Sequence, residues 1–347
     1  MRAILLSAKV AKAIIMKPFK LLILIILSPL LLSCQNDEVR LSATQRWQIT
    51  EGFIVDGKLS ANGEFTSLLL ADNSLELWNN KVRKKVSAWR PDQLVPETIF
   101  IDLSDSAEFI LSANHNSVQI WHTDKEQSLG SVNFSKHLGD ARITQIRFGA
   151  SPYQFLIGTS SGDVIFADSL NDSYRVNRRH TSDVVQLKLS KNKRTLFSGG
   201  NDGLVVKWDL IDYQPVVTKI LPFRIVSLAI GSDNQIFISD ALKDHILWDS
   251  SQDSVVGRIT HWQRFKWFRH AIFAPHQRWL VTSSPKTEMH LWNIDDMTMR
   301  GSWRVESQTL GSSVADIKMI GTEHLRTLST DGVLQDWNLS SFALKPT

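Results

Sequence analysis

Tryptophan recurs along this chain at a nearly constant interval, and that interval limits the possible folds more than any other feature. Trp78, Trp121, Trp208, Trp248, Trp292 and Trp337 form the series, with Phe166 filling its one gap, at successive spacings of 43, 45, 42, 40, 44 and 45 residues. Self-similarity at such a period marks a repeated supersecondary unit that cannot bury its apolar face alone and must stack on its neighbours. Each mark closes a short alternating run, as in Leu75-Glu76-Leu77-Trp78 and Met289-His290-Leu291-Trp292. Alternation of apolar and polar side chains is the period of a half-buried strand. Upstream lie another apolar run and a polar turn, as in Asn201-Asp202-Gly203, whose residue types tolerate the positive φ of a tight hairpin. Helical periodicity is nowhere sustained after residue 34.

Seven all-β units of this size predict a seven-bladed β-propeller of four-stranded antiparallel blades. Residues 180–210 (HTSDVVQLKLSKNKRTLFSGGNDGLVVKWDL) closely resemble the WD-repeat pattern, including the terminal Trp208-Asp209. The resemblance implies that His180, Ser198, Asp202 and Trp208 form that family's structural hydrogen-bond tetrad. Such a tetrad satisfies buried polar groups and ties the loop before a blade to its third strand. Other blades soften the pattern. Trp248-Asp249 keeps the dipeptide, Trp78-Asn79, Trp292-Asn293 and Trp337-Asn338 alter it, and Trp121-His122 loses it. Asp72 and Asp331 hold the turn position in blades one and seven, while only blade four keeps all four residues.

Ring closure is also legible. Ten residues follow Trp337, interrupted by Pro346, which leaves little room for a further strand. Arg46–Thr50 (RWQIT) has strand character and precedes the first blade, so it is predicted to supply the outer strand of the last one. Joining the chain ends in one blade removes exposed sheet edges. The propeller is expected to span 46–347 as a monomer. Trp89 and Trp303, each eleven residues after a blade mark, are expected to pack between neighbouring blades.

The first 33 residues read differently. Lys17 and Lys20 precede the apolar run Leu21–Leu32, and Ser33 and Cys34 follow. A basic start, a short apolar stretch and a small residue at the end describe an export signal. The run is well short of the roughly 20 residues that cross a bilayer as a helix. Met16 is an alternative start, because residues 16–34 make a complete signal by themselves. Leu31-Leu32-Ser33-Cys34 resembles the lipobox of bacterial lipoproteins, which implies cleavage before Cys34 and lipidation of that residue. Cys34 is the chain's only cysteine, so it has no partner for an internal disulfide. The residue after it is Gln35, not the aspartate associated with inner-membrane retention, so the resemblance implies the outer membrane, facing the periplasm. Residues 34–45 then form a lipidated tether, whose ten mostly polar residues from Gln35 to Thr44 reach at most about 35 Å.

Removing that leader changes the charge argument. The whole chain has 39 Lys+Arg against 35 Asp+Glu, but the first 33 residues hold five of the cations and no acid. The remainder carries 34 cations against 35 acids, a formal charge of −1. A strongly basic nucleic-acid-binding surface is thereby excluded.

Patterns of catalysis are scarce. Gly158-Thr159-Ser160-Ser161-Gly162 matches a nucleophile elbow literally, yet it lies in a hairpin rather than between a strand and a helix. No phosphate-binding glycine loop with lysine, paired-cysteine zinc site or HExxH helix occurs, and His261, His270, His276 and His290 show no recognised ligand spacing. No catalytic, cofactor or metal residue is therefore assigned. The most distinctive segment is His261–His270 (HWQRFKWFRH), which connects blades five and six. Trp262, Arg264, Phe265, Lys266, Trp267 and Arg269 combine aromatic area with cations, the composition enriched at interface hot spots. Arg175, Arg178, Arg179 and the Trp89-Arg90 pair are expected on the same face. The leading reading is a non-catalytic, lipid-anchored WD-repeat scaffold that presents one loop face to another envelope protein. The alternative is a propeller enzyme or small-ligand binder. It predicts inward-facing acids, histidines or arginines with perturbed pKa values in the central channel.

Overall fold

A computed structural model of the chain describes residues 41–231, 234–260, 267–275 and 278–343. Contacts gather Arg40–Thr347 into one unit and Met1–Val39 into another. The export signal, Cys34 and most of the tether lie outside the described residues. Within the larger unit the repeats fold into seven four-stranded antiparallel sheets. In six of them the strands follow chain order. The seventh pairs the N-terminal strand Gln45–Gln48 with Val333–Asn338, so the blade that ends the chain takes its outer strand from the chain's other end. The first strands of consecutive blades touch in a closed cycle, blade seven meeting blade one. The fold is the seven-bladed propeller that the tryptophan period predicts.

The first strands line the centre: Ile54–Leu59, Phe100–Leu103, Ile143–Phe148, Val184–Leu189, Ile225–Ile230, His270–Phe273 and Val314–Ile320. Second and third strands are covered on both faces, which is why Phe155–Ile157 and Ile236–Ile238 read as unbroken apolar runs. Outer strands keep one wet face, and Gln214–Ile220 alternates exposed and half-buried along its whole length.

Turn chemistry separates the two ends of the ring. One end carries the connections between blades and the hairpins joining second and third strands; it is called the connection face below. Gly203 sits in such a hairpin with φ of 79°, and a Cβ there would stand 2.3 Å from the Leu221 carbonyl oxygen. Only glycine fits. The opposite end, the hairpin face, carries the other two turns of each blade. At the turn into the outer strand, blades one to six each place a non-glycine residue in the left-handed region: Arg83, Glu126, Asp172, Tyr213, Asp253 and Met297, with φ of 47–61°. A register shift follows beside the tryptophan mark in blades one, two, four, five and six.

The apolar core lies between blades. Leu156, Val164 and Phe166 of blade three pack with Val184, Leu187, Leu196, Val206 and Trp208 of blade four. The outer-strand tryptophans bridge the same gaps. Trp89 packs on Trp121 with ring centroids 5.8 Å apart, and Trp303 on Trp337 at 5.9 Å. Burying such aromatic side chains is worth several kcal/mol each, on the order of 3–5 when one is truncated to alanine.

Candidate functional site

Two places in the ring collect functional side chains: the central channel and the connection face. Around the channel, side chains of the first strands reach to the next blade. Asp56 accepts from the Ile101 amide at 3.1 Å, and Asp102 accepts from the Phe148 amide at 2.9 Å. Gln145 donates to the Val185 carbonyl at 3.3 Å and Gln186 to the Val226 carbonyl at 2.9 Å. His270 Nε2 meets the Val314 carbonyl at 3.1 Å, and Asp316 accepts from the Leu59 amide at 2.9 Å. These bonds run tangentially and stitch six of the seven blade boundaries. At the boundary of blades five and six the matching residue is Ser227, whose buried hydroxyl has no partner among the described residues.

A tier of charged side chains lies beside this belt. In the strand register, Lys58, Asp102, Arg147, Lys188, Ala229, Ile272 and Lys318 occupy the same position of successive first strands. Two of the cations are paired. Lys58 Nζ lies 2.5 Å from Asp56 Oδ1, and Arg147 Nε lies 3.0 Å from Asp102 Oδ2. Burial pushes Lys58 down, but Asp56 and Asp316 outweigh it and hold the ammonium above its usual range. Asp102 likewise raises Arg147. Asp316 gives its oxygens to backbone amides of Leu59 and Ile317, both at 2.9 Å. Its own burial disfavours the charge, and Lys318, His270 and Lys58 together hold the carboxyl low.

Lys188 and Lys318 have no carboxylate within 4 Å among the described residues. Burial, with Arg147 and Lys318 as like charges, brings Lys188 down to about 7. The same surroundings push His270 down to about 3, burial acting first and Asp316 opposing it. Both amines line a cavity of about 920 Å³ that opens from the channel onto the hairpin face. Ala229 and Ile272, the two short members of the tier, line it too. Strongly displaced ionisable groups gathered in a cavity mark a candidate functional site.

The blade-four tetrad is a continuous relay. Trp208 Nε1 donates to Ser198 Oγ at 2.9 Å, Ser198 Oγ meets His180 Nε2 at 2.8 Å, and His180 Nδ1 meets Asp202 Oδ1 at 3.2 Å. Burial lowers His180, against the opposing pull of Asp202, so the ring is neutral. Donor counting then fixes the direction: the serine hydroxyl donates to Nε2 and Nδ1–H donates to the carboxylate. His180 and Ser198 are fully enclosed between strands, as is the second hydroxyl–imidazole pair, Ser239 with His245 at 2.9 Å. Neither hydroxyl is presented to a substrate. Ser160, in the glycine-flanked hairpin, accepts from the Arg142 amide at 3.1 Å. Among the described residues no group of three His, Cys, Asp or Glu side chains is placed to hold a metal ion.

On the connection face, Trp262, Arg264, Phe265 and Lys266 lie outside the described residues. Trp267 is half-buried, Phe268 turns fully inward, and Arg269 is exposed while donating to Ser313 Oγ at 3.0 Å. Two expectations for this face require correction. Arg175 lies towards the hairpin face, where its guanidinium covers Tyr213 and donates to the Asp212 carbonyl. Trp89 is buried against Trp121, because the apolar gap between blades captures its ring. Arg178 is on the expected face but is committed to Asp163, at 2.8 and 3.1 Å.

Sequence reading singled out Trp267 but overlooked three apolar side chains that complete an arc with it on this face. Phe223, Trp267, Leu310 and Phe53 lie in four successive connections, from blades four to five round to seven to one. Phe53 is 70 % and Leu310 fully exposed. Their loops lack periodicity, so their only sequence signal is a large apolar residue in a polar connection.

No protein-family model matches the chain, and no curated protein matches it. Among solved structures it is similar to a chain in the crystal structure of a mitotic checkpoint complex, with a TM-score of 0.70 at 16 % identity. That likeness covers 97 % of this chain and 98 % of the other. At such low identity the likeness is one of fold: the chain is a seven-bladed β-propeller.

Proposed function

We propose that this protein is a non-catalytic scaffold whose connection face binds another protein of the bacterial envelope, with the ring held at the outer membrane by lipid on Cys34. The observation that carries the reading is the apolar arc of Phe223, Trp267, Leu310 and Phe53. Three of the four are exposed large side chains, and Arg224 and Arg269 stand beside the first two. Exposed apolar side chains grouped on one face, with cations between them, are the composition of a protein-binding surface. The ring suits that task because its loops ride on fourfold-stranded blades, which hold them in fixed relative positions. The lipobox-like sequence at Cys34 supports the anchor, and the polar tether keeps the ring near the membrane surface.

The test is crosslinking in intact cells, followed by affinity capture of the parent and of two variants. One carries Phe53→Ser, Phe223→Ser and Leu310→Ser; the other carries Trp262, Arg264, Lys266 and Trp267 changed to Ala. A discrete partner captured by the parent and weakened by at least about 30-fold in a folded variant is the expected result, since hot-spot losses exceed about 2 kcal/mol. Equal capture by parent and both variants removes the connection face from the interface. Cys34→Ala is expected to move the protein from the membrane to the soluble fraction. Unchanged membrane association would sink the anchor.

A further inference from the structure

We propose that the cavity at the hairpin end of the channel binds a small multivalent oxyanion of the phosphate type, gripped by Lys188 and Lys318 and admitted past Lys191 and Lys207. This inference is independent of the scaffold reading, which concerns the other face of the ring.

The argument begins with charge. Among the described residues the cavity is lined by Lys188, Lys191, Lys207, Lys318 and His270 against one carboxylate, Asp316. That carboxylate is occupied by two backbone amides and sits where two blades are stitched together. Two other acids of the first strands, Asp56 and Asp102, are spent on Lys58 and Arg147. Lys188 and Lys318 line that space without a direct ion pair among the described residues, and Asp316 acts on both only through space. Lys207 is held differently, by Asn234 Oδ1 at 2.8 Å and Ser250 Oγ at 3.1 Å, which fixes its position without neutralising it. Like charges that converge in a low-dielectric space repel, and a fold tolerates them where an anion relieves the repulsion.

Geometry supplies the rest. The tier position is filled by Ala229 and Ile272 in blades five and six, and these short side chains open room beside the two amines. The volume of about 920 Å³ is ample for a phosphorylated small molecule. Compact ammonium groups act as point charges and suit phosphate oxygens without demanding a planar fork. The low proton affinity of Lys188 in the empty cavity adds a signature: an anion favours the charged amine, so binding draws in a proton. Affinity should therefore fall as pH rises from 6 to 9.

The experiment titrates the full chain with inorganic tripolyphosphate by calorimetry at fixed ionic strength, beside Lys188→Met/Lys318→Met and Lys188→Arg/Lys318→Arg. The expected result is saturable 1:1 binding that weakens at least about tenfold in the methionine variant, survives in the arginine variant and falls with rising pH. No binding by the parent at millimolar tripolyphosphate, or equal binding by the methionine variant, overturns the proposal. Should the methionine variant misfold, the parent alone decides. Lys188, with its depressed pKa, should react with a limiting amine-selective reagent near pH 7.5 and be protected by tripolyphosphate. Absence of protection overturns the site. Vesicles containing phosphatidylglycerol that displace tripolyphosphate would support a lipid-borne phosphate at the same site. Failure of such vesicles to displace it would support a soluble one.

Discussion

Ser198 is both donor and acceptor in the blade-four relay, taking the indole N–H of Trp208 and giving its own proton to His180. Replacing it by alanine leaves a buried donor and a buried acceptor unsatisfied at once, and each such loss costs about 1–3 kcal/mol. In blade seven, Thr327 accepts from Trp337 at 3.0 Å but serves no histidine. Ser198→Ala should therefore cost about twice as much as Thr327→Val, roughly 2–4 kcal/mol, which corresponds to about 5–10 °C in melting temperature. Urea and thermal unfolding of the two variants check this, and equal losses would remove the relay's special status. The tetrad could be read from sequence because its four residues sit at fixed offsets in one well-kept repeat. Its simplified relatives could not. Ser112, Thr282 and Thr327 each take an indole N–H from their blade's tryptophan, nine or ten residues on. Hydroxyl residues are too common elsewhere in strands for that offset alone to stand out.

At the scale of the strand, the innermost position of each blade decides both cohesion and charge. His270 stitches blade six to blade seven as a neutral ring, and its folded-state pKa of about 3 lies far below the ordinary value near 6.5. Lys188, Arg269 and Lys58 face it and disfavour its charge, while Asp316 alone favours it. The unfolded chain therefore binds a proton between about pH 6.5 and 3 that the folded chain refuses. Stability from this group is complete above pH 6.5 and is lost as pH falls through that window. His270→Gln keeps an N–H donor, as Gln145 and Gln186 do at the equivalent boundaries, and removes the titration. The parent should lose stability more steeply than His270→Gln between pH 6.5 and 4. The difference approaches about 1.4 kcal/mol per pH unit, less as water screens the half-buried ring. Parallel pH profiles from urea unfolding would contradict the assignment. The charged tier itself was hidden in the sequence although it is regular. Each member falls 19 or 20 residues before its blade mark, but the seven positions hold five residue types and no two lie closer than about forty residues. Only closing the ring brings Lys58, Arg147, Lys188 and Lys318 together.

At the scale of the whole molecule, the ring depends on a strand of four residues contributed from the far end of the chain. Gln45–Gln48 pairs with Val333–Asp336, and the Thr44 amide extends the ladder to the Asp336 carbonyl at 2.7 Å. Trp47 packs among the side chains shared by blades seven and one, with the Arg83 and Arg326 guanidinium groups over its ring at 4.8 and 5.0 Å. Arg326 is fixed in turn by a two-pronged pair with Asp336, at 2.6 and 2.7 Å. Closure was foreseeable because RWQIT has the alternation of a strand and stands before the first blade, whereas the arginines that clamp Trp47 lie 36 and 279 residues after it in no recognisable pattern; they follow from the fold alone. Removing residues 41–49 exposes the whole edge of Val333–Asn338, a template for pairing with another chain. The shortened protein should elute as higher oligomers in size-exclusion chromatography with light scattering, and its unfolding should lose cooperativity. Trp47→Ala, which keeps the backbone ladder, should remain monomeric and lose about 2–3 kcal/mol, less than a fully enclosed tryptophan because the residue is only half-buried. A synthetic peptide of residues 41–50 added to the shortened protein should restore the monomer, since it supplies the missing strand without the covalent link. A shortened protein that is monodisperse and melts with the parent would mean that contacts between the inner strands of blades seven and one close the ring unaided.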